Sequence, residues 1–444
     1  MTATDTIFAL ATGGLPSGIA IVRVSGPRVR RGLEALVGSV PQPRRAALRS
    51  IHDEQGQLID RAIVVFFAAP ATFTGEDIAE LHLHGGRAVV GAALKTLGRI
   101  DGFRPAEAGE FTRRAFANSR VDLTQVEGLA DLVLAETDAQ RRQALRQADG
   151  VLGAQYEDWR QRLIRARALL EAELDFPDED DVPGSASDAA WEDVGTLIAE
   201  MDAHLADGRR GERLRDGYEI VVLGPPNAGK SSLVNALARR DVAIVSTEPG
   251  TTRDLIEVRL DLDGYPVTVI DTAGMRESVG IVEEEGIRRA RARAAQADLV
   301  LWLTPVGDEL LLPVTEDSQP VIAVGTKIDL AESHVEDPID PKGFDLLVSS
   351  RTGRGIDSLI STLADRAAEA MAVGEAPAAT RERHRSAITT VRDALATAGD
   401  GGRRPLELRA DDLRRATDAL GRLTGRVDVE ELLDVVFRDF CIGK

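Results

Sequence analysis

A single cysteine, Cys441, is the only thiol in this chain of 444 residues, so no disulfide can form within it. A reducing compartment suits that count. Basic side chains are outnumbered, with 54 Lys plus Arg against 73 Asp plus Glu and a formal net charge of −19. Such a balance excludes a non-specific nucleic-acid coat, while leaving room for local basic patches. No uninterrupted apolar run approaches the ~18 residues a membrane span needs. The opening Met-Thr-Ala-Thr-Asp has no basic stretch ahead of an apolar core, so no secretory signal is read there. A soluble, cytoplasmic protein of about three domains is expected.

What the chain does have is centred on 224–232, Gly-Pro-Pro-Asn-Ala-Gly-Lys-Ser-Ser, which follows the apolar run 220–223 and precedes the helical spacing of Leu233 and Leu237. Strand, glycine-rich turn and helix are the context that makes G-x-x-x-x-G-K-[ST] a phosphate loop. Gly224 and Gly229 permit the tight turn that aims backbone N–H groups at phosphate oxygens. Lys230 reaches the terminal phosphates, the new helix adds its dipole, and Ser231 is placed to ligate Mg²⁺. A second apolar run, 267–270, ends in Asp271-Thr272-Ala273-Gly274, where the carboxylate can hold the Mg²⁺ shell and Gly274 can meet a γ-phosphate. A third, 321–324, ends in Thr326-Lys327-Ile328-Asp329. The Asp329 carboxylate can accept both N–H groups of a guanine edge, a pairing adenine cannot make. A fourth run, 346–348, ends in Ser349-Ser350, where a backbone N–H can meet the guanine carbonyl. Four such loops at carboxyl ends of strands, in this order, point to GTP.

Elsewhere the pattern divides the chain. Residues 1–121 read as mixed α/β, with strands at 18–24 (carrying Arg23 among apolar neighbours), 62–67 and 78–84, and a helix at 89–97. The alternation in 78–84 puts Glu80, His82 and His84 on one face. Those three side chains suit either a metal site or a hydrogen-bonded polar surface. The stretch Glu110-Phe111-Thr112-Arg113-Arg114-Ala115-Phe116 reads as a basic amphipathic segment with a solvated face. From Asp122 the spacing is helical, interrupted by the acidic, proline-bearing 175–183 and resumed through Trp191, Val194, Ile198, Met201 and Leu205. The chain leaves this bundle near Asp216, returns through the small-residue stretch 374–380, and is helical again at Leu413–Leu423 positions and at Leu432, Val435, Val436 and Phe437. The expected organisation is an α/β unit at 1–121, a helical domain from 122–216 and 373–444, and a GTPase domain at 217–372 inserted into it. Within the insert, the alternation of Ile256, Val258, Leu260 and Leu262 meets 267–270 across Asp263-Gly264, a hairpin signal. Ahead of it lies Gly250-Thr251-Thr252-Arg253-Asp254, a switch loop whose threonine can complete the Mg²⁺ shell.

Many small GTPases place glutamine directly after Asp-x-x-Gly to orient water. Here that position is Met275, which leaves Glu277, Glu283, Glu284 and Glu285 as candidates for the role, or as a solvated helix start. Arg253 and Arg276 are the in-chain arginines near enough in sequence to neutralise charge.

With these residues in view, the chain resembles the MnmE (TrmE) family of tRNA modification GTPases over essentially its whole length. The resemblance rests on Gly-Ile-Ala-Ile-Val-Arg-Val-Ser-Gly at 18–26, Phe-Thr-Gly-Glu-Asp-Ile at 73–78, the strand 80–86, Gly-Glu-Phe-Thr-Arg-Arg-Ala-Phe at 109–116, Asp-Leu-Thr-Gln at 122–125 and the terminal Phe-Cys-Ile-Gly-Lys at 440–444. It implies a multidomain α/β plus all-α fold. That fold comprises an N-terminal tetrahydrofolate-binding and dimerising domain, a helical domain from two segments and an inserted Ras-like P-loop GTPase domain. It also implies a homodimer that works with an FAD-dependent partner, MnmG (GidA), on the wobble uridine of certain tRNAs. The complex adds an aminomethyl-type group, with or without carboxymethyl, to C5; a 5-formyl- or methylene-tetrahydrofolate supplies the carbon. Folate contacts carried over by motif are Arg23, Glu80, Arg120 and Lys444, with Arg120 where lysine is usual. GTP contacts are Asn227, Ala228, Gly229, Lys230, Ser231 and Ser232, then Ser246, Thr247, Glu248, Pro249, Gly250, Thr251 and Thr252. Further on they are Asp271, Thr272, Ala273 and Gly274, then Thr326, Lys327 and Asp329, and finally Ser349, Ser350 and Arg351. Mg²⁺ would be held by Ser231 and Thr252, and K⁺ by Asn227 and by oxygens at Ser246, Glu248 and Thr251. A cation there does the electrostatic work of an arginine finger. Glu283 matches the family's catalytic glutamate, acting on water indirectly, and Cys441 lines the folate pocket or acts as a nucleophile. Thr326 stands where asparagine is common, Glu248-Pro249 where small residues are usual, and Ser350 where alanine is usual. Arg113, Arg114, Arg141 and Arg142 are candidate tRNA contacts. The alternative is a GTP-switched module in ribosome assembly with no chemistry of its own, which leaves 1–121 and the C-terminal motif without purpose.

Overall fold

The computed structural model describes residues 5–175, 185–244, 256–271, 293, 295–310, 319–331, 343–372, 374, 377–399, 403–427 and 443. The chain divides into two compact units, one of Met1–Ala130, Gln147–Val194 and Thr397–Lys444, the other of Asp131–Arg146 and Gly195–Ala396.

The first unit holds β1 (Thr6–Leu10), β2 (Ser17–Ser25), β3 (Ala47–His52), β4 (Leu58–Phe67), β5 (Ile78–Gly85) and β6 (Phe103–Pro105), in the order β3-β4-β5-β2-β1-β6. Neighbours are antiparallel except for β1 and β6. Period-two alternation sorts the faces of these strands. Val22, Val24, Val64, Phe66, Leu81 and Leu83 point into a core shared with Leu33 and Leu36 of α1 (Val29–Val37) and Val90 and Leu97 of α2 (Arg87–Leu97). The opposite face carries Arg23 and Glu80, with Ile7, Ala9, Ala106 and Phe111 of α3 (Glu110–Ala117) forming a smaller apolar cluster. In the helical part of this unit α6 (Val151–Asp175) packs along the later helix Leu406–Leu423; Tyr156, Trp159, Leu163 and Leu170 are buried on the first and Leu413, Ala416 and Leu420 on the second.

The second unit is built on β7 (Tyr218–Leu223), β8 (Ile256–Leu262), β9 (Tyr265–Asp271), β10 (Leu299–Pro305), β11 (Val321–Thr326) and β12 (Leu346–Leu347), ordered β12-β11-β10-β7-β9-β8. All neighbours are parallel except β8, which runs antiparallel to β9. The register pairs Val222 with Asp271, Leu223 with Trp302 and Thr326 with Pro305. The carboxyl ends of β7, β9, β10 and β11 therefore line up along one edge, where ligands of parallel sheets bind. Helices α8 (Lys230–Ala238) and Ile356–Met371 contribute Leu233, Val234, Leu237, Leu359 and Leu363 to the main core of this unit. Among the described residues no helix is long and apolar enough to cross a membrane.

Candidate functional site

β7 delivers the chain to the phosphate loop. At Gly224 φ is 147°, and a Cβ there would lie 2.2 Å from the Leu303 carbonyl oxygen of β10, so only glycine fits beside that strand. Asn227 (φ 61°) and Gly229 (φ 92°) complete the turn in left-handed conformations. α8 begins at Lys230, and its Nζ donates to the carbonyl oxygens of Gly224 and Pro225 at 2.9 and 3.0 Å. The ammonium is thereby folded over the loop, on the side where phosphate oxygens would meet the helix's first N–H groups. Ser231 and Ser232 follow in the first turn, and Asp271 lies buried at the end of β9. A hydroxyl and a carboxylate are the hard oxygen donors Mg²⁺ takes.

The loop after β11 is tied to this one directly. Thr326 is buried and its hydroxyl donates to the Ala228 carbonyl at 2.7 Å. This bond joins the end of β11 to the phosphate loop and explains how threonine serves where asparagine is common. Lys327 takes a left-handed φ of 60°, after which Asp329 turns toward the β12 loop. The Ser349 hydroxyl donates to Asp329 Oδ1 at 2.7 Å and Arg351 Nε lies 3.0 Å from Oδ2. The Ser349 hydrogen bond and then the Arg351 charge hold the Asp329 carboxyl below the usual carboxylate range, so it stays an acceptor for a guanine edge. Ser350 sits between Ser349 and Arg351 in this loop. Ser246, Thr247, Glu248, Pro249, Gly250, Thr251, Thr252, Thr272, Ala273, Gly274 and Glu283 lie outside the described residues.

In the first unit Arg23 and Glu80 pair on the sheet, and Arg120 bonds the loop at 72–76. Arg23 on β2 faces its cross-strand partner Glu80 on β5 at 2.9 Å and lies 5.9 Å from the Phe111 ring centroid. Two residues along β2, the Ser25 hydroxyl meets Thr74 Oγ1 at 2.7 Å and Glu76 Oε2 at 2.8 Å. Asn118 Nδ2 donates to the Thr74 carbonyl at 2.6 Å, and Arg120 Nε to the Thr72 carbonyl at 3.3 Å. Residues 72–76 are thus held between β2 and the chain following α3. Gly443 enters from the far end of the sequence. A Cβ on it would meet the Leu10 carbonyl oxygen at 2.3 Å, so its backbone runs against the end of β1. Ala9, next to Leu10, is the cross-strand partner of Arg23. Cys441 and Lys444 lie outside the described residues.

One reading of this region changes, and the alternatives at Glu80, His82 and His84 narrow. Arg114 is buried rather than solvent-facing, and its guanidinium contacts Glu76, Asp5 and Glu110 at 3.3, 2.9 and 3.0 Å. It is removed from the candidate tRNA contacts, because a buried guanidinium cannot turn out to a phosphate without leaving the half-buried Glu76 carboxylate uncompensated. The same network, closed by Arg104 on Asp5 and Glu110, holds the 72–76 loop and went unnoticed in the sequence. Its one signal was the Arg-Arg pair, which puts two charges on adjoining faces of one helix. Glu80, His82 and His84 do not converge, since His84 turns to Asp60 at 2.8 Å while His82 stays 3.5 Å from Glu80. Among the described residues no group of three or more His, Cys, Asp or Glu is placed to hold a metal ion.

A family model described as the MnmE helical domain matches residues 123–441, and one for the N-terminus of the GTP-binding protein TrmE matches residues 6–120. The chain belongs to the MnmE family. The tRNA modification GTPase MnmE of Brucella anthropi is 52% identical over 444 residues, covering 99% of this chain and 98% of the relative. The MnmE proteins of Brucella canis and Brucella suis are each 51% identical over 441 residues, with the same coverage. Among solved structures, the G domain of the T. maritima FeoB iron transporter is 28% identical, covers 34% of this chain and 98% of its own, and has a TM-score of 0.26. The stretch matched by the MnmE helical-domain model, 123–441, includes the phosphate loop at 224–232.

Proposed function

We propose that this chain hydrolyses GTP in the modification of tRNA. Acting as a homodimer in the cytoplasm with the FAD-dependent MnmG, it would add a (carboxymethyl)aminomethyl group to C5 of the wobble uridine. The observation that carries the nucleotide half is the buried Thr326–Ala228 hydrogen bond, which makes the phosphate loop and the guanine-reading Asp329 loop one rigid piece. For the folate half the support is the position of Gly443 against β1 beside the strand that carries Arg23.

In this reading Lys230 and Ser231, with Thr252, hold the Mg²⁺-bound phosphates, and Asp329 with Ser349 holds the base. Asn227, Ser246, Glu248 and Thr251 hold a potassium ion that neutralises charge in the transition state. Glu283 positions the attacking water. A tetrahydrofolate lies along Arg23, Glu80 and Arg120, its anionic glutamyl tail matched by the arginines and Lys444. The folate supplies the one-carbon unit when bound; the chain's own residues orient it. Arg113, Arg141 and Arg142 are the exposed arginines offered to tRNA.

The test is modification of undermodified tRNA by the full-length protein with MnmG, 5-formyl- or methylene-tetrahydrofolate, an amine donor, GTP and KCl. Modified uridine is expected; its total absence in the presence of bound folate overturns the reading. The same reaction in NaCl is expected to hydrolyse GTP much more slowly, and the Glu283→Ala protein to bind GTP yet turn over poorly. Equal rates in both salts remove the potassium ion, and full turnover by the variant moves the water-positioning role elsewhere.

A further inference from the structure

The short segment 131–146 lies well ahead of β7 in the sequence, yet it belongs to the phosphate-loop unit. Its helix α5 (Asp138–Ala148) starts with a reciprocal cap, Gln140 Oε1 accepting from the N–H groups of Glu136 and Thr137 and Thr137 Oγ1 accepting from Gln140 N. The Ala139 N–H, in the first turn, donates to the Gly264 carbonyl at the tip of the β8–β9 hairpin, 3.0 Å away. The Ala139 side chain is buried in the same core as Leu260, Leu262 and Val267. Arg259 of β8 closes the contact with an ion pair to Glu136 at 3.1 Å.

The other end of that hairpin, at Asp271, lies opposite Val222, just ahead of the phosphate loop. β8 begins at Ile256, directly after 245–255, the stretch carrying Thr251 and Thr252; β9 ends at Asp271. The chain entering that stretch is also bound to β8, through Ile244 N to the Arg259 carbonyl at 2.9 Å and Asp261 N to the Val242 carbonyl at 2.8 Å. Both ends of 245–255 are therefore fastened to one strand. Arg259 is the node, gripped through its backbone by the incoming chain and through its side chain by Glu136. The two strands pair from Ile256–Asp271 to Leu262–Tyr265, a stiff lever about 20 Å long at ~3.4 Å per residue. It is an edge pair, so tilting it disturbs only the β9 side of the sheet. Beside the joint lies a cleft of about 510 Å³ lined by Glu136, Gln143, Glu219, Ile244 and Arg259. Gln143 Oε1 and Glu219 Oε1 find no hydrogen-bond partner in the protein there. A joint with room and with polar groups left to satisfy can take a second arrangement.

We infer that the β8–β9 hairpin relays the state of the nucleotide to the 131–146 segment, with Arg259 and Glu136 as positioning residues. The inference rests on the GTP reading above, since a γ-phosphate acting on 245–255 and on Asp271 is what would move the lever. Hydrogen–deuterium exchange on the full-length protein tests it, comparing GDP with a non-hydrolysable GTP analogue, with fluorescent-nucleotide affinity measured in parallel. In the wild type, exchange of 131–146 should differ between the two nucleotides by about 3–5-fold, the size a partly exposed ion pair can transmit. The Arg259→Glu variant should bind nucleotide normally and lose that difference, and adding Glu136→Arg should restore it. Glu136→Gln, a milder change, should reduce the difference without charge reversal. Identical exchange in both nucleotides, or a difference that survives Arg259→Glu, overturns the relay. Failure of the wild type to bind any guanine nucleotide would instead overturn the GTP reading on which the relay depends.

Discussion

Thr326 is a small side chain with two tasks, since the backbone that carries it leads to Asp329, proposed above to hold the base, while its hydroxyl bonds the phosphate loop. The Thr326→Val protein keeps the shape and loses the donor, leaving the buried Ala228 carbonyl short of a partner. Guanine-nucleotide affinity should drop about fivefold, from a loss of ~1 kcal/mol, as measured by titration with a fluorescent GDP; unchanged affinity would mean the bond contributes nothing to the site. At this scale the phosphate loop was legible in the sequence because glycine, lysine and serine are required there by sterics and charge. The role of Thr326 was not, because a hydroxyl's partner depends on what the fold brings within 3 Å. The turn at Gly224 is legible in the motif, but its closest constraint, the Leu303 carbonyl, comes from a strand far along the chain.

Elements were legible in proportion to their periodicity. The β8–β9 hairpin was announced by alternation on both sides of Asp263-Gly264, and both residues take the positive φ that such a turn demands, 52° and 88°. β10 was not anticipated, since its run Leu-Val-Leu-Trp-Leu has no alternation and is buried on both faces at the centre of the sheet. α3 shows a subtler loss. Its sequence is amphipathic, but which arginine faces inward depends on the carboxylates of Asp5 and Glu76, which the fold brings to it from elsewhere. Arg114 is buried where its neighbour Arg113 is exposed. The Arg114→Met substitution should therefore destabilise the first unit by about 3 kcal/mol, because it takes from Glu76 its only arginine among the described residues and from Asp5 and Glu110 one of two, whereas Arg113→Met should change stability by less than ~0.5 kcal/mol. Urea unfolding followed by circular dichroism separates the two; equal effects would show that the network is not a unit.

For the whole molecule, acid tolerance has an identifiable weak point. Burial, and then the charge of neighbouring His384, push the His204 imidazole down to about 4. Both rings lie inside the second unit, on α7 (Ser185–Asp216) and on the helix Glu382–Ala398. An unfolded histidine takes up its proton near pH ~6.5, while His204 in the fold stays neutral until about 4. Between those values the unfolded chain holds the extra proton, so stability is full above the upper value and falls as pH drops. The loss by pH ~5 is on the order of 2 kcal/mol from this residue. Urea midpoints at pH ~7.5 and ~5 should show it, and the His204→Asn protein should have a flatter profile by a similar amount. A variant with the wild-type pH slope would clear His204 of the effect.

The meeting of Gly443 with Leu10 also governs how the protein comes into being. At ~5–20 residues per second, a ribosome needs roughly 20–90 seconds to pass from the first of these residues to the second. Through that interval the earliest sheet is exposed without the stretch that later lies against its β1 end. The phosphate-loop unit, emerging meanwhile with a core of its own, can finish folding first, so the surroundings of Arg23 would be among the last features of the newborn chain to mature.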